Sequence, residues 1–160
     1  MSSRADALEE YQVKAAFLYH FASFVNWPSS TFNRTNGHFH LCIIGNDPFG
    51  KILDSTLRDK KIHEHAIDIH RNPSKASLRQ CHLLYVTALR SSQLSRLRNQ
   101  FDNTSMLTVG ENDLFIQHGG MITFFMDNQK VRFAINPDAI NKTALKVSSK
   151  LLRLAKIVSP

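Results

Sequence analysis

The stretch of this chain that comes closest to a chemical motif runs from Gly45 to Lys51. It reads Gly-Asn-Asp-Pro-Phe-Gly-Lys, follows an apolar run, and has the glycine and lysine spacing of a phosphate-binding loop. The next residue is Ile52, whereas such a loop needs Ser or Thr there to hold magnesium. Pro48 also lacks the backbone N–H that would donate to a phosphate. We therefore interpret the stretch as a tight strand-to-helix turn, in which Asp47 caps a helix that Pro48 begins.

Two histidine pairs, His38-x-His40 and His63-x-His65, have the spacing of possible metal ligands. Alternate side chains of a strand point to the same side, so each pair could share an ion. Neither pair has a Cys, Asp or Glu at a recurring ligand spacing along the sequence, and Glu64 would face away from its two neighbours in an extended strand. We predict no dedicated metal site and no cofactor.

Nucleophilic catalysis has little support in the sequence. Ser148 and Ser149 fall within a predicted helix, where hydroxyl groups usually bond to the preceding turn. The sequence contains no G-x-S-x-G elbow, no His-Glu-x-x-His motif and no paired-carboxylate pattern. We therefore predict that the chain is not an enzyme.

The two cysteines, Cys42 and Cys81, each lie at or just before the start of a predicted buried strand. If those strands are neighbours, the two Cα atoms could lie within the range of about 4.4–6.8 Å that a disulfide requires. Two separately buried thiols would fit the pattern equally well, because free cysteine packs like a small hydrophobic residue. The residues alone leave both arrangements open.

Composition narrows the class of protein. A length of 160 residues, of which 42% are hydrophobic, predicts one domain with a substantial core. The formal net charge of +7 favours anionic partners. The basic residues are nevertheless spread along the chain, without the interleaved aromatic pattern of a nucleic-acid reader, so we predict no nucleic-acid partner. No apolar run approaches the roughly 18 residues of a membrane span, so we predict no membrane insertion.

The elements that would position these residues alternate between strands and helices. The predicted strands are Phe39–Ile44, Ala66–His70, Leu83–Thr87 and Ser105–Val109, and the predicted helices are Leu8–Val25, Pro48–Leu57 and Ser91–Phe101. This order predicts a single α/β domain, with a mainly parallel sheet and helices on both faces. We expect a flexible tail over residues 1–6 and the folded domain over residues 7–158.

The C-terminal third has the clearest pattern. Two apolar runs, Met121–Met126 and Val131–Ile135, flank Asp127–Lys130, which predicts a β-hairpin at one edge of the sheet. Pro137 follows an N-capping asparagine and predicts the start of a long amphipathic helix that reaches Val158. Its predicted apolar stripe comprises Ile140, Ala144, Val147, Leu151, Leu154, Ala155 and Val158.

Four stretches, taken in their order and spacing, resemble the YfiR family of bacterial periplasmic proteins, also described as a domain of unknown function. They cover nearly the whole chain: Val13–Tyr19 with Phe21, Trp27 and Pro28; Cys42 with Gly45–Gly50; Gly119–Ile122; and Val131–Asn136 with Ser148–Ala155.

The resemblance implies a regulatory protein. YfiR-like proteins bind the periplasmic sensor domain of an inner-membrane diguanylate cyclase and repress it, which lowers cyclic-di-GMP and biofilm formation. An outer-membrane lipoprotein can sequester the repressor. A periplasmic location implies a signal peptide that is cleaved or lies outside this sequence, and the oxidising compartment favours a Cys42–Cys81 disulfide. Family members can carry a second cysteine pair before the Gly-Gly-Met motif. The segment Glu111–His118 has no cysteine, which leaves Cys42–Cys81 as a structural clamp.

We expect that the protein acts as a homodimer and represses its partner by docking on it. The expected contacts are Phe133, Ile140 and Lys146, where the hairpin meets the last helix, and Trp27 at the end of the first helix. Phe133 and Trp27 would also suit a core, and Lys146 would suit a solvated surface.

Two other classes of function stay open. One is a periplasmic small-molecule-binding module that serves another membrane sensor, such as a histidine kinase. Its ligand would bind beyond the carboxyl ends of the strands, near Gly45–Phe49 and the loop after Val109. The other is a cytosolic nucleic-acid-binding protein, which only the net charge favours.

Overall fold

Continuous apolar runs at the centre of the chain form a mainly parallel sheet. The computed structural model describes residues 4–87, 91–100 and 105–159, and within them eight strands form one sheet and two short strands form a second. The strands are β1 (Val25–Asn26), β2 (Phe39–Ile44), β3 (Lys61–Ile62), β4 (His65–Arg71), β5 (Leu83–Val86), β6 (Leu107–Gly110), β7 (Ile122–Asp127), β8 (Lys130–Ile135), β9 (Lys146–Val147) and β10 (Lys156–Ile157).

Seven α-helices and one 3₁₀ helix connect the strands of the described ranges. They are α1 (Arg4–Ser23), the 3₁₀ helix Ser29–Thr35, α2 (Lys51–Leu57), α3 (Lys75–Leu78), α4 (Ser91–Gln100), α5 (Asp113–Gln117), α6 (Pro137–Asn141) and α7 (Ser149–Leu154). The predicted end of α4 at Phe101 lies outside the described residues. None of the helices described is both long and apolar enough to cross a membrane.

The order of strands in the main sheet is β10-β8-β7-β6-β5-β2-β4-β3. The neighbours from β4 through β2, β5 and β6 to β7 are parallel, whereas β8 runs antiparallel to β7 and β3 antiparallel to β4. The predicted α/β fold with a mainly parallel sheet is therefore confirmed. The predicted hairpin is also formed, but β10 pairs with β8 and lies outside it at the edge.

Both faces of the sheet are covered, as the continuous apolar strands predict. On one face, Leu41, Tyr85 and Val109 pack in the larger core cluster, which includes residues of α1 and α2. On the other face, Leu84 and Cys42 pack in a smaller cluster with residues of α3, α4 and α5. The central strands are consequently buried on both sides, and their backbone groups are satisfied within the sheet.

Helix α1 begins at Arg4, within the stretch 1–6 that was expected to be a tail. The sequence Arg-Ala-Asp-Ala contains no helix breaker, and the carboxylate of Asp6 in the first turn complements the positive helix end. The buried side of the helix carries an aromatic cluster. The ring of Phe21 lies 4.8 Å from that of Phe133 and 5.6 Å from that of Phe124.

Helix α2 begins at Lys51, so the prediction that Pro48 starts it is wrong. The cause is Gly50, whose φ of 53° is left-handed and therefore interrupts the helical path. Asp47 does cap the turn, because its Oδ1 accepts a hydrogen bond of 2.9 Å from the backbone N–H of Phe49. Its Oδ2 lies 2.6 Å from Nε of Arg71, so an ion pair stabilises the turn. Lys51 is exposed and takes no part in this ion pair.

The predicted long C-terminal helix is not formed, and the chain instead makes α6, β9, α7 and β10 over this stretch. Leu145, outside the predicted stripe, is buried, while Leu154 within it is 64% exposed. Ser148, predicted inside the helix, is the N-cap of α7, where its hydroxyl accepts from the backbone N–H of Lys150 at 3.2 Å. Its own N–H donates to Phe24 O at 2.8 Å. Long-range pairing of β9 with β1 therefore replaces local helical hydrogen bonds.

Candidate functional site

The two cysteines form a disulfide that links adjacent parts of the sheet. Cys42 lies in β2 and Cys81 just before the neighbouring strand β5, and their Cα atoms are 6.0 Å apart. The bond is buried beneath Leu78 of α3, in the smaller core cluster. Of the two arrangements that the residues left open, the bonded one is therefore present.

The four residues predicted to contact a partner fall into two sets. Phe133 and Ile140 are each 3% exposed and belong to the larger core cluster, so neither side chain is available to a docked partner in this conformation. The ring of Phe133 packs against those of Phe17 and Phe21 of α1. Trp27 is half-buried and Lys146 is exposed, so these two can face a partner.

Trp27 and Lys146 are brought together by a short antiparallel ribbon. Strands β1 and β9 place Val25 opposite Val147 and Asn26 opposite Lys146. Trp27 directly follows β1, and its indole Nε1–H donates to Ala22 O at 3.0 Å. The indole is thus fixed against the end of α1, where an edge-to-face contact of 5.2 Å with the Phe39 ring supports it.

Beside this ribbon lies a cavity of about 540 Å³, which we call the Trp27 cavity. Its walls combine aromatic and polar side chains, among them Asn26, Trp27, Ser29, Phe32, His63 and His65. The ring of Phe32 stacks on that of His65 with centroids 3.8 Å apart, and Nδ1 of His65 donates to Gly37 O at 2.6 Å. These contacts fix the inner wall, so the cavity is preformed.

The turn that contributes His63 to the cavity is strained. His63 and Glu64 have φ values of 47° and 72°, the left-handed pair of a two-residue turn that usually contains Asn-Gly. Such a conformation costs an ordinary residue roughly 1–2 kcal/mol. The turn is retained because Nε2 of His63 donates to Val25 O at 3.0 Å, which ties it to the β1–β9 ribbon. Strain that persists in this way often accompanies a functional surface.

The opposite, carboxyl end of the sheet is filled by protein side chains. The ring of Phe49, buried there, lies 5.3 Å from that of Tyr11 and 4.9 Å from that of Tyr85. The hydroxyls of both tyrosines donate to Glu111, whose carboxylate lies 3.5 Å from Nζ of Lys14. Burial, together with the charge of Glu111, raises the pKa of Tyr85 far above its usual range. The crevice where α/β sheets usually bind ligands is therefore occupied by a packed polar network.

Three possible metal ligands that the sequence analysis did not connect, His40, Asp68 and His70, lie together on neighbouring strands. A signal for them existed, because Asp68-x-His70 has the same alternate spacing as His38-x-His40. Only the pairing of β2 with β4 reveals that the two patterns are adjacent. Phe32 of the Trp27 cavity was also missed, because the 3₁₀ helix that carries it, Ser29–Thr35, consists otherwise of polar residues.

The fold and the disulfide together define the class of protein. It is an α/β domain with helices on both faces of the sheet, in which a disulfide joins β2 to the residues just before the neighbouring parallel strand β5. Comparison with known families is more specific. The model of the YfiR/HmsC-like family matches residues 11–156, and the chain belongs to this family. The match extends from residue 11, within α1, to the first residue of β10, and it therefore includes the disulfide, the β1–β9 ribbon and the Trp27 cavity.

Proposed function

We propose that this protein is a periplasmic regulator that docks on the periplasmic sensor domain of an inner-membrane diguanylate cyclase and represses cyclic-di-GMP synthesis. The observation that carries the proposal is the YfiR/HmsC-like family match over residues 11–156. The buried Cys42–Cys81 disulfide supports it, because such bonds persist in the oxidising periplasm. Action as a homodimer and sequestration by an outer-membrane lipoprotein are parts of the same proposal.

The docking surface that we propose combines Asn26, Trp27 and His63, which line the Trp27 cavity, with Lys146, which pairs with Asn26 in the β1–β9 ribbon. Interfaces concentrate their binding energy in a few anchored aromatic and basic side chains. Trp27 is held by a hydrogen bond and a ring contact, so it loses little side-chain entropy when a partner covers it. Lys146 adds an exposed positive charge beside it. Phe133 and Ile140 support this surface from the core.

Exchange of Lys146 for Glu is expected to weaken binding of the cyclase sensor domain about tenfold, equivalent to about 1.4 kcal/mol. The side chain is exposed, so folding stability should stay within about 0.5 kcal/mol of the wild type. The measurement is a titration of the purified sensor domain onto the immobilised, oxidised protein. Lys75→Glu is the matched control, because it makes the same charge change on an exposed residue of α3. Equal affinities for the two variants would remove Lys146 from the interface.

A second function is favoured by the volume of the Trp27 cavity. At about 540 Å³ it lies within the usual size of small-ligand sites, roughly 300–1,000 Å³. The protein would then be a small-molecule-binding module that serves another membrane sensor, such as a histidine kinase. Capture experiments with cyclase and kinase sensor domains from the same genome, each with and without a screened metabolite pool, separate the two functions. Capture of only a kinase domain, dependent on a ligand, would favour this second function over repression of a cyclase.

A further inference from the structure

Strands β2 and β4 align three polar side chains on the face of the sheet that carries the disulfide. The parallel register places His40 opposite Asp68 and Cys42 opposite His70. Residues two apart along a strand point to the same side, so His40 shares that face with Cys42 on β2, and Asp68 shares it with His70 on β4. The strand register therefore brings two histidines and one carboxylate together, and His38, directly before β2, reaches Asp68 through its side chain.

The distances between these groups are close to those of a metal site. A ring nitrogen of His40, a ring nitrogen of His70 and a carboxylate oxygen of Asp68 all lie within 4.8 Å of one another. Nε2 of His40 is 3.6 Å from Oδ2 of Asp68. A tetrahedral zinc ion with bonds of about 2.0–2.1 Å holds its ligand atoms about 3.3 Å apart. Small side-chain rotations, without movement of the backbone, would bring the three groups to that spacing.

The imidazole of His70 has hydrogen-bonding capacity that the described part of the protein does not use. Its Nε2 is buried and has no hydrogen-bond partner among the described residues. Buried polar nitrogens are nearly always paired, so each exception calls for an explanation. The ring lies 4.5 Å from that of His40, and an ion between the two imidazoles would supply the missing interaction.

The site has an ordered second layer and a route from solvent. Nδ1 of His38 donates to Oδ2 of Asp68 at 2.8 Å, the kind of contact that orients a ligating carboxylate. The side chain of His40 is 14% exposed and that of Asp68 is 41% exposed, so an ion can enter from the Asp68 side.

We propose that His40, Asp68 and His70 bind one divalent transition-metal ion, with Zn²⁺ as the preferred occupant and His38 as a positioning residue for Asp68. Two imidazoles and one carboxylate suit zinc, whereas calcium and magnesium take oxygen ligands. A fourth position is left for water. The ion would link β2 to β4 directly beside the disulfide, which already links β2 to β5. This site is separate from the proposed docking surface, and its presence does not depend on repression of a cyclase.

The test is calorimetric titration of ZnCl₂ into the oxidised, tag-free chain after removal of metal with a chelator. One-to-one binding is expected, and the melting temperature should rise by roughly 5 °C at a free zinc concentration 100 times the Kd. Replacement of Asp68 by Asn, or of His70 by Phe, should weaken zinc binding about 100-fold or more. His38→Ala should weaken it roughly 10–100-fold, as expected for a residue that orients a ligand.

The matched control is His20→Ala, because His20 is an exposed histidine of α1 and its removal should leave the zinc affinity unchanged. Co²⁺ provides an independent readout, since tetrahedral nitrogen and oxygen ligation gives visible absorption that the Asp68→Asn variant should lack. Asp68 is partly exposed, so this variant keeps the test informative if His70→Phe fails to fold. No one-to-one binding by the wild type, or wild-type affinity in Asp68→Asn, would overturn the proposal.

Discussion

Replacing both Cys42 and Cys81 by Ala is expected to lower the free energy of unfolding by about 4 kcal/mol. The bond spans 39 residues, and a closed loop of that length removes this much conformational freedom from the unfolded chain. For a domain of this size the melting temperature should fall by roughly 10 °C. Scanning calorimetry of the oxidised wild type and the double variant measures both quantities.

A reductant supplies the control for that comparison. Dithiothreitol should lower the melting temperature of the wild type toward that of the Cys42→Ala/Cys81→Ala variant and leave the variant unchanged. A shift smaller than about 2 °C in the double variant would show that the disulfide adds little to the native sheet. The disulfide would then act by slowing unfolding rather than by raising the free energy of unfolding at equilibrium.

Ile140→Asp is expected to unfold the protein, with a loss of at least about 5 kcal/mol. Ile140 is 3% exposed and lies in the larger core cluster beneath α6. Removal of its buried methyl groups alone costs about 2–5 kcal/mol, and an unpaired carboxylate in an apolar site adds several more. Circular dichroism during urea titration should show no native baseline at 37 °C. If the protein represses a cyclase as proposed, this variant would lose repression because the fold is lost, not because a contact with the partner is removed.

Ile140→Val is the companion variant. It removes one methylene from the same position and should cost only about 1 kcal/mol, with repression retained. If Ile140→Asp instead melted like the wild type and failed to bind the sensor domain, Ile140 would be a surface contact in solution. That result would restore the docking role first expected for this residue.

Sequence patterns identified the central strands because their signals are local. The run Phe39–Ile44 is apolar except for His40 and forms β2 over the same residues. The hairpin was equally clear, since Asp127 and Lys130 pair across a turn whose two residues, Asn128 and Gln129, adopt positive φ. In both cases, neighbours along the chain determine the structure.

The C-terminal helix was mispredicted because its periodicity arose from two short segments. Ile140 and Leu151 are both buried, but in different helices, and Ala144 between them is exposed. The segment from Leu145 to Ser148 leaves the helical path to pair with β1, more than a hundred residues earlier in the chain. The spacing of apolar residues along the chain cannot reveal a contact between residues so far apart in sequence. Strands of two residues are also too short to show an alternating pattern.

The candidate sites depend on the same long-range contacts. Trp27 and Lys146 become neighbours only through the β1–β9 ribbon, and Asp68 reaches His40 only because β4 pairs with β2. The type of each residue suggested that it could take part in a site, but only the order of the strands shows which of these residues are neighbours. Phe133 and Ile140, which were expected to contact a partner, turned out to be buried in the larger core cluster.

The disulfide also determines what happens when the chain is cut. Residues 43–80, which include α2, β3, β4 and α3, lie inside the covalent loop that Cys42 and Cys81 close. Exposed turns are the preferred sites of proteolytic nicking, and Arg58 and Lys60 are exposed in the turn between α2 and β3. A protease that cleaved there would leave two fragments joined through sulfur, with β2 and β5 still side by side. Such a nicked molecule would migrate as one species until reduced, because the disulfide would still join its two fragments.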